Sequence, residues 1–178
     1  MMNISLCPDD CANLISQIKK DSDNWSAYKD IFDARLQTYT LDTQEWLWGA
    51  VIGEIGFNTY DHNIVFSGAK GLYCNFEYKE NGILLLDFGC GIKSSLSKIR
   101  KDIESDKDAL RIGFTEVVSG RFPERRGNGL KFALTTVVQN GWNMYFHSGS
   151  AYCLVDKDGY IFGDSQYNHC GCFCILER

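Results

Sequence analysis

Three short motifs, in a fixed order, constrain this chain more than any other feature. They are Glu54-x-x-x-Asn58, then Asp87-x-Gly89-x-Gly91, then Gly127-x-Gly129-Leu130. Each is weak alone, because the chain holds 17 glycines and a glycine pair arises readily by chance. The order carries the information. An acidic-amide pair on a helix comes first. An aspartate-glycine turn after a strand follows, and then a glycine turn into another helix. A chain that presents all three together needs helices and strands packed against one another.

Composition supports such a chain. It has 178 residues, of which 44% are hydrophobic and 13% aromatic. This suits one domain with a real core and some extra chain, and it argues against disorder. The net charge of -5 is a poor footprint for nucleic acid or an anionic membrane. No apolar run reaches the roughly 18 residues of a membrane span. The start Met1-Met2-Asn3-Ile4-Ser5 lacks a secretory pattern. The expectation is a soluble, cytoplasmic protein without nucleic-acid or membrane partners, and its oligomeric state is left open.

Hydrophobic periodicity predicts the elements. A helix from Asp9 or Asp10 places Cys11, Leu14, Ile15 and Ile18 on one side. A second helix is expected over about residues 25–36. Asp42-Thr43-Gln44-Glu45 opens a third, with an N-cap and an acidic first turn, running to about His62. Residues 72–78 read as a strand, Asn81-Gly82 as a hairpin turn, and 83–86 as a buried strand ending at Asp87. Residues 92–126 are polar and mixed, with helices expected near 95–105 and 109–118. So long a connection is usually functional or mobile. Gly129-Leu130 opens a helix that ends near Asn140-Gly141. Strands are expected at 144–147, 151–155, 160–162 and 172–176, with a turn at Asp156-Lys157-Asp158-Gly159.

The third helix carries the first motif. Its apolar stripe of Leu47, Ala50 and Val51 continues into Glu54 and Asn58, so both polar residues are expected to face inward. They read either as a satisfied buried hydrogen-bonding pair or as chemistry. An amide oxygen at Asn58 suits magnesium, a hard cation. A carboxylate one turn earlier can orient a water or a substrate hydroxyl. Gly53 and Gly56 each cost roughly 1 kcal/mol inside a helix. A close neighbour is therefore expected there, either a nucleotide or a strand backbone. His62 serves equally well as a helix cap or as a catalytic partner.

Asp87 ends an apolar strand, and Phe88-Gly89-Cys90-Gly91-Ile92 follows. It reads as a solvated turn aspartate or as an acceptor for an adenine amino group. Gly89 and Gly91 would let the backbone approach a base and sugar. Arg125-Arg126-Gly127-Asn128-Gly129-Leu130 combines free amides, a helix N-terminus and positive charge, which are the ingredients of an anion site. It fits neither a Walker A loop nor the dinucleotide fingerprint. Taken together the motifs supply the parts of a Mg-ATP site.

The eight cysteines raise a separate question. On a strand Cys170, Cys172 and Cys174 would share one face, neighbours lying roughly 6.8 Å apart, too far to pair without distortion. Zinc would need a fourth ligand such as His169. Small buried hydrophobes in a strand are the preferred reading. Cys7-x-x-x-Cys11 lacks a matching second pair.

With these motifs in view, the chain resembles the Bergerat-fold, histidine-kinase-like ATPase superfamily. Its N box is matched by Glu54-Ile-Gly-Phe-Asn58-Thr-Tyr-Asp-His62, its first glycine box by Asp87-Phe-Gly89-Cys-Gly91-Ile92, and its second by Gly127-Asn-Gly129-Leu130. Residues between the glycine boxes look like the ATP lid, and Gly171-Cys-Phe173-Cys-Ile175 like the final core strand. The likeness covers residues 42–178, and is nearest to small single-domain proteins related to anti-sigma-factor serine kinases. Lys131 departs from it, since a further glycine is usual there. Residues 1–41 match nothing and are expected to form a separate N-terminal helical segment.

The resemblance implies an α/β (α+β) two-layer sandwich, a mixed sheet covered on one face by helices. It implies ATP and Mg2+ as cofactors, with Glu54 catalytic and Asn58 the metal ligand. Asp87, Gly89, Gly91, Ile92, Arg126, Gly127, Asn128, Gly129, Leu130 and Lys131 would complete the nucleotide site. The implied activity is slow ATP hydrolysis or phosphoryl transfer to a protein serine or threonine. A STAS-like or other regulatory protein is the implied partner. The alternative is a non-catalytic, nucleotide-gated interaction module whose lid signals to that partner.

Overall fold

A computed structural model describes residues 8–19, 22–63, 71–116 and 128–178. The elements run in the order α1 (Pro8–Gln17), β1 (Trp25–Ser26), α2 (Lys29–Thr43), α3 (Trp46–Asn58), a π-helical turn (Thr59–Asn63), β2 (Leu72–Tyr78) and β3 (Gly82–Leu86). Then follow α4 (Gly91–Leu96), α5 (Asp106–Thr115), α6 (Gly129–Gln139), β4 (Asn143–Asp156) and β5 (Gly159–Glu177). The strands form one sheet of order β1-β2-β3-β5-β4.

The fold is α+β. Two details of the expected architecture are corrected. Every described strand pair is antiparallel, so the sheet is not mixed in these residues. Helices also lie on both faces. Residues of α2, α3, α5 and α6 share the main core with one face of the sheet. On the other face Cys11, Leu14 and Ile15 of α1, with Ile18 just beyond its end, pack with Tyr73, Leu84, Leu86, Tyr145, Phe173 and Ile175. The stripe read from the first helix is the stripe that packs there.

Period-two alternation explains why β3 is a continuous apolar run. Ile83 and Leu85 enter the main core, while Leu84 and Leu86 enter the second core. A strand buried on both faces needs no polar positions. The same alternation fixes what lies beyond the strand end. Asp87 continues the parity of Ile83 and Leu85, toward the helical layer. Ser148 continues that of Met144 and Phe146, and Cys172 that of Cys174 and Leu176.

Residues on both sides of position 42 share the main core. Phe32 and Leu36 of α2 are buried in it beside Trp48, Val51, Ile52 and Ile55 of α3. Full burial of such a side chain contributes about 1.5–3 kcal/mol. Arg35 fastens the N-terminal elements further, donating to the Asn24 carbonyl (2.9 Å), the Ser26 hydroxyl (2.9 Å) and the Cys74 carbonyl (3.1 Å).

The helix starts moved for identifiable reasons. β1 pairs with β2 across Trp25 and Tyr73, so α2 begins later than the periodicity predicts. It then runs on through Thr43, where an N-cap is expected, and stops at Gln44 in a left-handed conformation. The β2–β3 turn is also displaced: its left-handed residue is Lys79, not Asn81 or Gly82. Between the glycine boxes α4 starts at Gly91 and α5 is capped by Ser105, whose Oγ accepts from the Asp108 amide at 3.0 Å.

The candidate nucleotide site

The site gathers at one end of the sheet, where α3, the β3–α4 turn and the first turn of α6 meet. The inward stripe expected on α3 coincides only in part with the buried face: of its members Val51 is buried and Asn58 half-buried. Leu47, Ala50 and Glu54 are exposed, while Trp48, Val51, Ile52, Ile55 and Thr59 are buried. Glu54 therefore carries no burial penalty. Its carboxylate lies against Gly129, where a methyl group would overlap Oε2.

Gly53 and Gly56 have another neighbour than expected. A Cβ on Gly56 would overlap the Phe32 ring, and one on Gly53 would meet Leu36 Cδ2 at 3.2 Å. Gly49 faces Thr40 in the same way. Side chains, mainly of α2 with Leu72 of β2 also beside Gly56, fill the space against these glycines, rather than a nucleotide or a strand backbone. Phe32, Leu36 and Thr40, each one turn apart, interlock with Gly56, Gly53 and Gly49 as the two helices run antiparallel.

Asn58 Nδ2 donates to the Glu54 backbone carbonyl at 2.7 Å. This bond holds the side-chain amide against the helix. The helix then widens into the π-helical turn, a distortion common at functional sites. Its first residue, Thr59, donates through Oγ1 to Asp87 Oδ2 at 3.1 Å. Asp61 pairs with Lys29 at 2.8 Å, and the His62 carbonyl faces Cys90 Sγ.

Asp87 is 2% exposed, so the solvated-turn reading fails. Its Oδ1 accepts from the Gly89 amide (2.7 Å) and the Cys172 amide (3.3 Å). These bonds and the Thr59 hydroxyl hold the carboxylate between the π-helical turn and β5. Gly171, with φ +113, leaves no room for a side chain beside the Asp87 carbonyl, which His169 Nε2 also contacts at 2.8 Å. Gly91, with φ +76, would place a Cβ 2.9 Å from Ser148 Oγ. That hydroxyl accepts from the Ile92 amide (3.0 Å) and donates to the Gly171 carbonyl (2.8 Å). The first turn of α4 is thus tied to both long strands.

From sequence Thr59, Ser148 and Gly171 do not stand out as site residues, and His169 does so only as a zinc ligand. Thr59 follows directly after Asn58, and Gly171 interrupts the cysteine run, so both had a visible signal. Ser148 is recognisable only once β4 and β5 are paired.

Asn128, Gly129, Leu130 and Lys131 are divided between two surfaces. Gly129 faces Glu54, and Leu130 Cδ1 packs near Gly113 with Ile92. Asn128 and Lys131 line a shallow depression with Phe132, Thr135, Thr136 and Gln139. No described contact links Lys131 to Glu54, Asn58 or Asp87. Arg126 and Gly127 lie outside the described residues, as do Arg121 and Arg125.

The segment between the glycine boxes departs from a weakly held lid. Its described part buries Ile103, Ala109, Leu110, Ile112 and Phe114. Asp106 Oδ2 accepts from the Ser150 amide (3.0 Å) and hydroxyl (2.8 Å), and Lys107 pairs with Asp164. These contacts pin α5 to the β4–β5 hairpin.

The cysteine run also breaks its expected common face. Cys174 is buried and Cys172 half-buried against the main core, but Cys170 is exposed. The left-handed Gly171 interrupts the alternation. Among the described residues no cluster of His, Cys, Asp and Glu is arranged to hold a metal ion. None of the described helices is long and apolar enough to cross a membrane.

No family model, curated protein or solved structure matches the chain.

Proposed function

We propose that this chain is a Bergerat-type Mg-ATP-binding protein that slowly hydrolyses ATP or transfers its γ-phosphoryl group to a protein serine or threonine. One observation carries the reading. A single helical segment touches both glycine motifs: Glu54 meets Gly129, and Thr59 meets Asp87. Motifs far apart in sequence thereby surround one place, in the roles their chemistry suits.

The roles follow from the residues. The buried Asp87 carboxylate and the Thr59 hydroxyl form the adenine-reading pair. Asn58, half-buried and bonded through Nδ2 alone to the Glu54 carbonyl, would offer its amide oxygen to magnesium. Mg2+ commonly takes few protein ligands, the rest being phosphate and water, so one amide suits it without an acidic cluster. When bound, the ion would neutralise phosphate charge. Backbone amides at the start of α6 suit the phosphates, because a helix N-terminus favours anions. Glu54, exposed at that helix end, would orient a water or an acceptor hydroxyl. A purely structural role for Glu54, as a helix-dipole partner of α6, is the competing explanation and makes a different prediction.

The packing of α5 argues against a gate spanning the whole of residues 92–126. It therefore weighs against the non-catalytic, lid-driven module. A STAS-like or other regulatory partner remains part of the proposal only as the protein acceptor of the phosphoryl group.

The test is γ-labelled ATP with wild type, Glu54→Ala and Asn58→Ala. Glu54→Ala is expected to bind ATP and release no phosphate, and Asn58→Ala to lose magnesium-dependent binding. Equal phosphate release by wild type and Glu54→Ala would rule out catalysis by Glu54.

A further inference from the structure

The turn after β3 has a thiol on either side. Cys170 is exposed, and its Sγ sits 3.2 Å from the Gly89 carbonyl oxygen. Cys90 is the next residue after that carbonyl. It is half-buried, its Sγ 3.6 Å from the His62 carbonyl and 3.7 Å from the Gly91 carbonyl. A carbonyl oxygen lies about 2.8 Å from the following Cα by covalent geometry. With the 3.2 Å contact, the Cys170 sulfur lies within about 6 Å of the Cys90 Cα. The two Cα atoms are therefore at most about 9 Å apart by covalent geometry, against about 4.4–6.8 Å in a disulfide, so closing the pair requires side-chain rotation and a movement of the turn toward β5. Gly89 and Gly91 flank Cys90 and give the turn that backbone freedom.

The other described thiols are placed differently. Cys11, Cys74, Cys153 and Cys174 are buried. Cys172 points into the helical layer, its Sγ 3.7 Å from Ser148 Oγ. Only Cys170 of the described cysteines is exposed.

We propose that Cys90 and Cys170 are a peroxide-responsive pair whose disulfide fastens the Asp87–Gly91 turn to β5. The bond does not depend on the ATP reading, although it would form beside the residues which that reading uses.

The chemistry is balanced by one hydroperoxide. The exposed Cys170 thiolate attacks the peroxide oxygen, forming an S–O bond as the O–O bond breaks. With hydrogen peroxide, hydroxide leaves and is protonated to water. Cys90 then attacks the resulting sulfenic sulfur. The S–S bond forms, the S–O bond breaks, and a second water leaves. Two thiols are oxidised and one peroxide is reduced. Burial raises the Cys90 thiol pKa above its usual value, while the Lys98 charge acts in the opposite direction. Cys90 is thereby suited to the later, resolving step and Cys170 to meeting the oxidant first.

The test uses the full chain, exposed to stoichiometric hydrogen peroxide, alkylated, and digested with trypsin without reduction. Residues 80–93 form a peptide with Cys90 as its single cysteine, while residues 158–178 carry Cys170, Cys172 and Cys174. These two peptides should be recovered joined, at the summed mass less two hydrogens, and should separate on reduction. Fragmentation of the joined species should place the bond at Cys170. The link should survive Cys172→Ser and vanish in Cys170→Ser. Recovery of Cys90 alkylated overturns the proposal, whether Cys170 stays reduced, is over-oxidised, or pairs elsewhere. So does a link that persists in Cys170→Ser.

Discussion

The carboxylate of Glu54 rests against Gly129, where α3 meets the first turn of α6, and occupies the space a methyl group at position 129 would take. Contact between a helical acid and a glycine 75 positions later (129 − 54) is what joins the first motif to the third.

That contact predicts a specific pattern of coupling. In Gly129→Ala the new methyl would push the Glu54 carboxylate away. Because Glu54 is exposed and can swing into solvent, folding stability should change by no more than about 1 kcal/mol. Phosphate release, if it depends on Glu54, should fall sharply. Adding Glu54→Ala should then cost nothing further, a non-additivity that a double-mutant cycle reads directly. If Glu54 serves only the α6 dipole, its removal should cost about 0.3–1 kcal/mol of stability and leave turnover unaltered.

The α2–α3 interface gives a stability prediction independent of any ligand. Gly56→Ala gains roughly 1 kcal/mol of helix propensity. Its methyl, however, would overlap the Phe32 ring, and over-packing costs typically 1–3 kcal/mol. A net loss of up to about 2 kcal/mol is expected in urea unfolding. Phe32→Leu should recover part of that loss in the double variant, because it removes the overlapping ring atoms. A stabilised Gly56→Ala would show that α2 and α3 do not pack as described.

Much of this was legible before the fold was known. The strand that ends at Asp87 and the helix that opens at Gly129 lie where periodicity and glycine punctuation put them. Which side of α3 faces inward was legible only in part. Leu47 and Ala50 look like core residues, yet the buried stripe runs one position away, because Gly49, Gly53 and Gly56 give α2 its close approach. Small residues carry almost no hydrophobic signal, so a periodicity argument passes over them. The second helical layer was hidden for a related reason. The stripe of α1 was plain, but the face it covers became apparent only when Leu84, Leu86, Tyr145 and Phe173 were seen to share it.

That second face yields a pH prediction. His147 is fully buried between Tyr145 and Tyr167, and desolvation pushes its pKa from 6.5 down to about 4, with the nearby His169 adding to the effect. Burial also lowers His169. A tenfold change in proton affinity between the folded and unfolded chain corresponds to about 1.4 kcal/mol. The unfolded chain takes up the His147 proton below about pH 6.5, whereas the folded chain resists it until about pH 4. The stabilisation is therefore complete above pH 6.5 and is lost as the pH falls toward 4, by an amount of order 2–3 kcal/mol. Unfolding free energies measured from pH 7 to 4 should show this slope, and His147→Phe should flatten it. An unchanged slope in that variant would mean that His147 does not titrate as its burial implies.

The central claim is that Asp87, held by Thr59, Gly89 and Cys172, reads adenine beside a magnesium-binding amide. Titration calorimetry of the purified chain with ATP and with GTP, each with and without magnesium, tests it most directly. One ATP is expected to bind per chain, more weakly without magnesium and in preference to GTP. Asp87→Asn should lower ATP affinity by about 1.5–3 kcal/mol, the value of a hydrogen bond to a charged group. No detectable ATP binding by folded wild-type chain, or equal affinity for ATP and GTP, would contradict it.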